Sequence, residues 1–407
     1  MGSTFPYRIE GILPFMEKQL KKEKIWTKDF VLICIANFFI FLGFQMTLPT
    51  IPLFVEDLGG SDQLIGFVVG IFTFSALLLR PYAGNSLETK GRKFVYLIGL
   101  SIFVLSVGSF GFLASIFLLF AMRVVQGVGW GFSTTASGTI ATDLIPASRR
   151  GEGMGYYGLS GNLALAFGPS LGLILTGVIS FKQLFLICAG LGLIALLLSS
   201  RITYKSVEQR PVGTTKLNLF EKSALKPSLL LFFITVTFGG IAAFLPLYTE
   251  QKDIGGIQLY FLLYALALMV TRSFAGQLYD RKGHQAVFIP GTLLILVAMV
   301  FLAWLPNSMV LFIAAFLYGL GFGMVQPALQ AWAIEKSPMN RRGMANATFF
   351  SFFDLGVGIG AMVFGQIGHL LGYSSIYKTG AVSIFISMLL YIYFLYKDRV
   401  GVTQPGS

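Results

Sequence analysis

Twelve apolar stretches set what this chain can fold into. They lie near 29–54, 62–83, 94–114, 116–141, 155–179, 182–200, 228–249, 257–279, 286–305, 308–333, 345–371 and 375–396. A helix needs roughly 17–25 residues to cross a hydrocarbon core, so each stretch is long enough. Too little charge remains to coat a water-facing surface. Charged types make up 12% of the 407 residues, against about 25% in soluble domains. That balance excludes a soluble enzyme, a nucleic-acid binder and a disordered scaffold. An all-α integral membrane protein is left.

The net charge of +12 is set by topology and needs no nucleic-acid partner. Of the 30 Lys and Arg, 24 fall on the side of the membrane that holds both termini. Three (Lys182, Lys252, Lys378) fall on the other side, and three (Arg80, Arg123, Arg272) fall inside spans. This bias places both termini in the cytoplasm, with anionic lipid facing the basic loops. Cys34 and Cys188 sit inside spans and do not read as disulfide partners, and no metal-ligand spacing occurs. The first 28 residues are too basic and polar for a cleavable signal peptide. The segment IEGILPFMEKQLKKEKIW within them reads either as a surface amphipathic helix or as a basic tail.

The chain also matches itself at an offset of 192. RPYAGNSLETKG begins at Arg80 and RSFAGQLYDRKG at Arg272. Gly127, Gly129 and Gly131 match Gly319, Gly321 and Gly323. Asp143 faces Glu335, and Pro146, Arg149, Arg150 and Gly151 match Pro338, Arg341, Arg342 and Gly343. One constant offset means two copies of a six-helix unit. An even number of spans per copy makes the repeats parallel, related about an axis along the membrane normal. The expected organisation is a basic arm (1–28), a first bundle (29–200), a cytoplasmic linker (201–227), a second bundle (228–396) and a tail (397–407). Two such bundles can rock about a central cavity and expose it to each side in turn.

The turn after the second span, GNSLETKGRK, resembles the signature loop of the major facilitator superfamily. Gly84, Glu88, Gly91 and Arg92 stand at its Gly, acid, Gly and basic positions. Gly276, Asp280, Arg281 and Gly283 form the second copy, which has His284 and Gln285 where further bases would stand. A Gly turn joined to a charge clamp could hold the cytoplasmic side shut in one state and release it in another. A plain basic turn is the alternative.

Arg123 opens the fourth span in RVVQGVGWG. A guanidinium inside a span costs ~2.5–3.5 kcal/mol on insertion scales, so it should face a cavity or a partner. Arg123, Gln126, Trp130 and Thr134 share one helical face. The motif resembles that of the drug/proton antiporters, whose Arg is implicated in proton coupling; snorkelling to the outer interface is the alternative. In the fifth span Gly155, Gly168, Pro169 and Gly172 resemble the antiporter motif, with Ala164 and Leu173 where that motif has Gly. In the family this motif marks exporters.

Asp354 is the acid near the middle of a span; the others lie at span ends or in loops. A carboxyl group at that depth favours its neutral form, so changes in its exposure can load and unload a proton. Its counterpart at the 192 offset is Asn162. Asn37, Phe41 and Gln45 recur every four residues on the first span, and Tyr318, Phe322, Gln326 and Gln330 do the same on the tenth. In the superfamily, spans 1, 4, 7 and 10 line the cavity. The resemblance thus implies an aromatic cavity with scattered amides, suited to lipophilic or amphiphilic ligands.

The expected fold is twelve transmembrane helices in two parallel six-helix repeats. The expected function is proton-coupled efflux of a small lipophilic or amphiphilic compound by a monomer, with Asp354 and Arg123 in coupling. No cofactor or metal is expected beyond the proton gradient, and a bacterial plasma membrane is the expected location. Export of one dedicated metabolite, metallophore or lipid-linked molecule is the alternative, followed by nutrient import. A membrane sensor or scaffold would need a larger soluble part than these polar segments provide.

Overall fold

The computed structural model describes residues 24–146, 149–204, 220–338 and 342–402. The arm segment that allowed two readings, most of the linker, and Arg341 of the repeat lie largely or wholly outside the described residues. So do the side chains of Glu88, Arg150, Asp280 and Arg342.

Twelve helices follow the apolar stretches: α1 (Lys28–Asp57), α2 (Asp62–Thr89), α3 (Arg92–Phe110), α4 (Ile116–Leu144), α5 (Arg150–Thr176), α6 (Phe181–Ser200), α7 (Leu225–Gln251), α8 (Ile257–Lys282), α9 (Gln285–Ala303), α10 (Ser308–Glu335), α11 (Arg342–Leu371) and α12 (Tyr373–Val402). Each contains a segment long and apolar enough to cross a membrane. Several run past their apolar stretch because polar end turns stay helical once capped. Thr27 accepts from the Phe30 amide and Ser61 from that of Leu64. Ser115 and Asn307, 192 residues apart, cap α4 and α10. A side-chain acceptor of this kind satisfies an amide that has no partner inside the helix.

The two bundles are built alike. In the first, α1 packs on α5 and α6, α4 on α2 and α3, and α3 on α6. In the second, α7 packs on α11 and α12, α10 on α8 and α9, and α9 on α12. The correspondence reaches single residues. A Cβ on Gly129 would stand 2.9 Å from the Gly99 carbonyl oxygen; one on Gly321 would stand 2.5 Å from that of Gly291. Glycine therefore lets α4 approach α3, and α10 approach α9, at the same register. Gly91 and Gly283 end the signature turns at φ 88° and 73°, a backbone region that side chains other than glycine's rarely adopt.

The bundles meet along two seams, α2 against α11 and α8 against α5. Helix direction places the ends of α2, α4, α6, α8, α10 and α12, and the linker, on one side, here the linker side. Among the described residues, close approaches across the seams lie in the far half, apart from one arginine contact in each seam nearer mid-membrane. The Tyr373 hydroxyl donates to Asp62 Oδ1 at 2.6 Å, and Ser170 Oγ donates to the Gln258 carbonyl at 2.8 Å. Gly66 faces the Ala361 carbonyl, and Gly358 faces Thr73. Toward the linker side, Gly84, Gly155 and Gly276 have, among the described residues, no atom beyond their own helical turn within 4 Å of where a Cβ would stand. Among the described residues the seams are closely packed in the far half and more open toward the linker side.

Candidate functional site

Each seam ends, toward the linker side, in an arginine. Arg80 of α2 reaches Asp354 of α11, with 2.5 Å between Nη2 and Oδ2. Arg272 of α8 donates to Asn162 Oδ1 of α5 and to Gln326 Oε1 of α10. Arg80 and Arg272 are equivalent in the repeat, and so are Asn162 and Asp354. The two contacts are one arrangement repeated by the pseudo-twofold, an ion pair at one copy and a guanidinium on a neutral amide at the other. At 1.5 Å rise per residue, Asn162 and Asp354 lie about 18 Å into their helices from the linker side, near mid-membrane. The pair's side chains are 21% and 23% exposed, while Asp354 Oδ2 itself is buried.

Arg123 does not meet Asp354. It lies only about 10 Å into α4 from the far side and is fully buried. Its Nε donates to the Val68 carbonyl of α2 at 3.0 Å, its Nη1 to Gln126 Oε1, and its guanidinium lies 4.4 Å from the Phe72 ring centroid. The shared helical face correctly joins Arg123 to Gln126. Snorkelling is ruled out, because the side chain turns inward to a backbone acceptor and an amide. Trp130, one turn further on, stacks on Phe44 at 4.1 Å and packs against Phe41 at 4.9 Å.

The cavity candidates divide between the bundles. Asn37 Nδ2 donates to Ser160 Oγ at 2.9 Å, and the Tyr157 hydroxyl donates to Asn37 Oδ1 at 2.9 Å. Ser137 lies 2.7 Å from that hydroxyl. This buried polar cluster joins α1, α4 and α5. Gln45 packs where Gly168 lacks a side chain, and its buried Oε1 has no partner. In the second bundle, Tyr318 shares a 2.9 Å hydrogen bond with Thr237 of α7. Phe322 stacks on Phe238 and meets the Phe353 edge at 6.3 Å. Gln330 Nε2 donates to Asn346 Oδ1 at 2.8 Å.

In the signature turn, Arg92 reaches Asp143 Oδ2 of α4 at 3.1 Å and the Leu87 carbonyl at 2.9 Å. The second copy uses different chemistry at these places. His284 stacks on Trp332 at 4.3 Å, and the Tyr279 hydroxyl donates to Glu335 at 2.7 Å. Arg281 and Gly276 stay open to solvent or empty space. In α5, Gly168 and Gly172 let that helix touch α1 at Gln45 and Met46, while Gly155 has open space around it. Pro169 sits between those two glycines, inside the helix.

The sequence marks Arg80 and Arg272 only as arginines inside spans, and Asn162 only as the repeat counterpart of Asp354. The available signal was the cost of a guanidinium inside a span, together with the offset that relates all four positions.

Comparison with known proteins agrees with this architecture. The family model described as Major Facilitator Superfamily matches residues 33–361 and 257–406. The staphylopine export protein of Staphylococcus aureus is 25% identical over 84% of this chain and 89% of its own. The quinolone resistance protein NorA of the same species is 24% identical over 85% and 92%. Among solved structures, that of the nucleoside transporter NupG superposes with a TM-score of 0.70 at 15% identity, covering 89% of this chain and 98% of that one. A duplicated six-helix bundle that parts on one side of a mid-membrane seam, matched by the family model along nearly its whole length, makes this chain a multi-pass transporter of the Major Facilitator Superfamily, whose cargo is a small molecule crossing a lipid bilayer.

Proposed function

We propose that the protein exports a small lipophilic or amphiphilic organic compound in exchange for protons, and that Asp354 carries the proton. The Arg80–Asp354 contact is the observation that supports this most. It joins the two bundles across a seam, so the charge on one carboxyl group acts on the contact that must change when the bundles rock. Ionised, Asp354 holds Arg80 across the seam. Protonated, it loses most of that attraction, so its charge state alters how easily the seam moves.

The cycle follows from the parted linker side, which the positive-inside rule assigns to the cytoplasm. Substrate enters there while Asp354 is ionised. The bundles rock, Asp354 takes a proton from outside, and substrate leaves. The return movement delivers the proton to the cytoplasm. Each inward proton is driven by ~2.3 kcal/mol per 100 mV of membrane potential, with no bound cofactor in the scheme. One chain supplies both bundles, so a monomer suffices, and a bacterial plasma membrane fits. The similarity to NorA, a quinolone resistance protein, supports a small organic compound as cargo.

In proteoliposomes, replacing Asp354 by Asn should abolish efflux driven by an imposed pH gradient and leave substrate exchange at equal pH intact. Unchanged gradient-driven efflux in D354N would reject Asp354 as carrier. The staphylopine export relative favours a second reading, export of one dedicated metabolite or metallophore. A panel of chemically unrelated compounds on the same vesicles separates the two, since a dedicated exporter moves one of them.

A further inference from the structure

Three guanidinium groups lie within the spans, at Arg80, Arg123 and Arg272, with one mid-span carboxylate, Asp354. Asp354 is taken by Arg80. Arg123 is satisfied inside the first bundle by a carbonyl, an amide and a ring. Arg272 is different. It is half-buried at the seam and its two terminal nitrogens donate to neutral amide oxygens; its buried Nε, like that of Arg80, has no hydrogen-bond partner among the described residues. Among the described residues it forms no ion pair, whereas its repeat equivalent, Arg80, does. The repeat shows where the missing anion belongs: Asn162 occupies the place that Asp354 takes in the other seam.

We propose that Arg272, held between the bundles by Asn162 and Gln326, receives a carboxylate of the transported compound, so that the substrate is an aromatic or amphiphilic organic acid. A guanidinium is a planar fork that binds carboxylate through two parallel N–H bonds. A charge kept in a span without a counter-ion is costly, and a substrate carboxylate removes that cost while it is bound. The apolar part of such a compound has half-buried rings nearby. Phe322, buried one helical turn from Gln326 on α10, backs Phe353, which is next to Asp354 in sequence, is half-buried and meets that ring edge-on. Phe350 continues this patch, 6.4 Å from Phe353. An acid bound here also sits at the seam that mirrors the Arg80–Asp354 contact. Substrate at one seam and proton at the other would then act on symmetric contacts.

The proposal rests on the export reading for its substrate but is tested by binding alone. Purified full-length protein in nanodiscs, at one pH and without a gradient, is titrated with a panel of aromatic carboxylates, each paired with its carboxamide. Naphthalene-1-acetate and naphthalene-1-acetamide are one such pair. The expected result is that at least one carboxylate binds ten-fold or more tighter than its amide, and that Arg272→Gln removes the preference. Asn162→Asp should remove it too, because its own carboxylate occupies the guanidinium as Asp354 does at Arg80. This variant keeps every other contact and guards against a misfolded Arg272 variant. If no carboxylate outbinds its amide, or if the preference survives both substitutions, the proposal is overturned. Loss of pH-driven flux coupling would instead count against the proton-exchange reading and leave the binding result standing.

Discussion

Arg80 and Asp354 meet at 2.5 Å across the seam between the bundles, and Arg272 and Asn162 occupy the equivalent places in the other seam without the carboxylate. The carboxylate sits at one of two positions that the duplication made alike. Any movement of one bundle against the other must stretch or break both contacts, but only the first responds to protonation.

The two members of the charged pair should be strongly non-additive. Arg80→Gln alone leaves a carboxylate at the seam, and Asp354→Asn alone leaves a guanidinium. The double substitution leaves neither, and removing both partners costs less than stranding one. A double-mutant cycle on thermal stability of the purified protein should give a coupling of about 1–3 kcal/mol. A coupling near zero would mean the contact does not hold the seam.

The glycines should separate packing from movement. A Cβ on Gly127 would run into the Phe72 carbonyl and Ser75, so Gly127→Ala should destabilise the protein by about 1–3 kcal/mol. Gly84 has open space, so Gly84→Trp should change thermal stability by no more than about 0.5 kcal/mol. Transport by G84W should nonetheless fall ten-fold or more, because the added ring stands in the part that must close. Normal flux in G84W would argue against closure of α2 on the linker side.

The far half should be lockable. A Cβ at position 358 would lie 2.9 Å from Thr73 Cβ, and a disulfide needs about 3.5–4.5 Å between these atoms. A shift of under about 1 Å therefore lets Thr73→Cys and Gly358→Cys join. The oxidised double variant should stop transport, and reductant should restore flux. Full activity when oxidised would mean that the far side need not open.

Arg123→Lys should not be conservative. Lysine has no fork to reach both the Val68 carbonyl and Gln126, and it stacks less well on Phe72. Loss of a charged hydrogen bond should cost about 1.5–3 kcal/mol of stability, read as a lower thermal midpoint. Asp354-dependent coupling should persist in whatever protein remains folded, because the two residues do not touch.

Hydropathy determined the twelve helices, and the offset of 192 determined their duplication. Both are written in local composition and in simple matching along the chain. The Arg123–Gln126 contact was legible for the same reason, since residues three apart on a helix are neighbours. The partner of Asp354 was not. The offset relates Arg80 to Arg272 and Asn162 to Asp354, but the contacts run across that relation, Arg80 to Asp354 and Arg272 to Asn162. Only the docking of α2 on α11 and of α8 on α5 brings them together. Periodicity within a helix carries no information about which helix of another bundle lies opposite. The packing of two whole bundles against each other decides that.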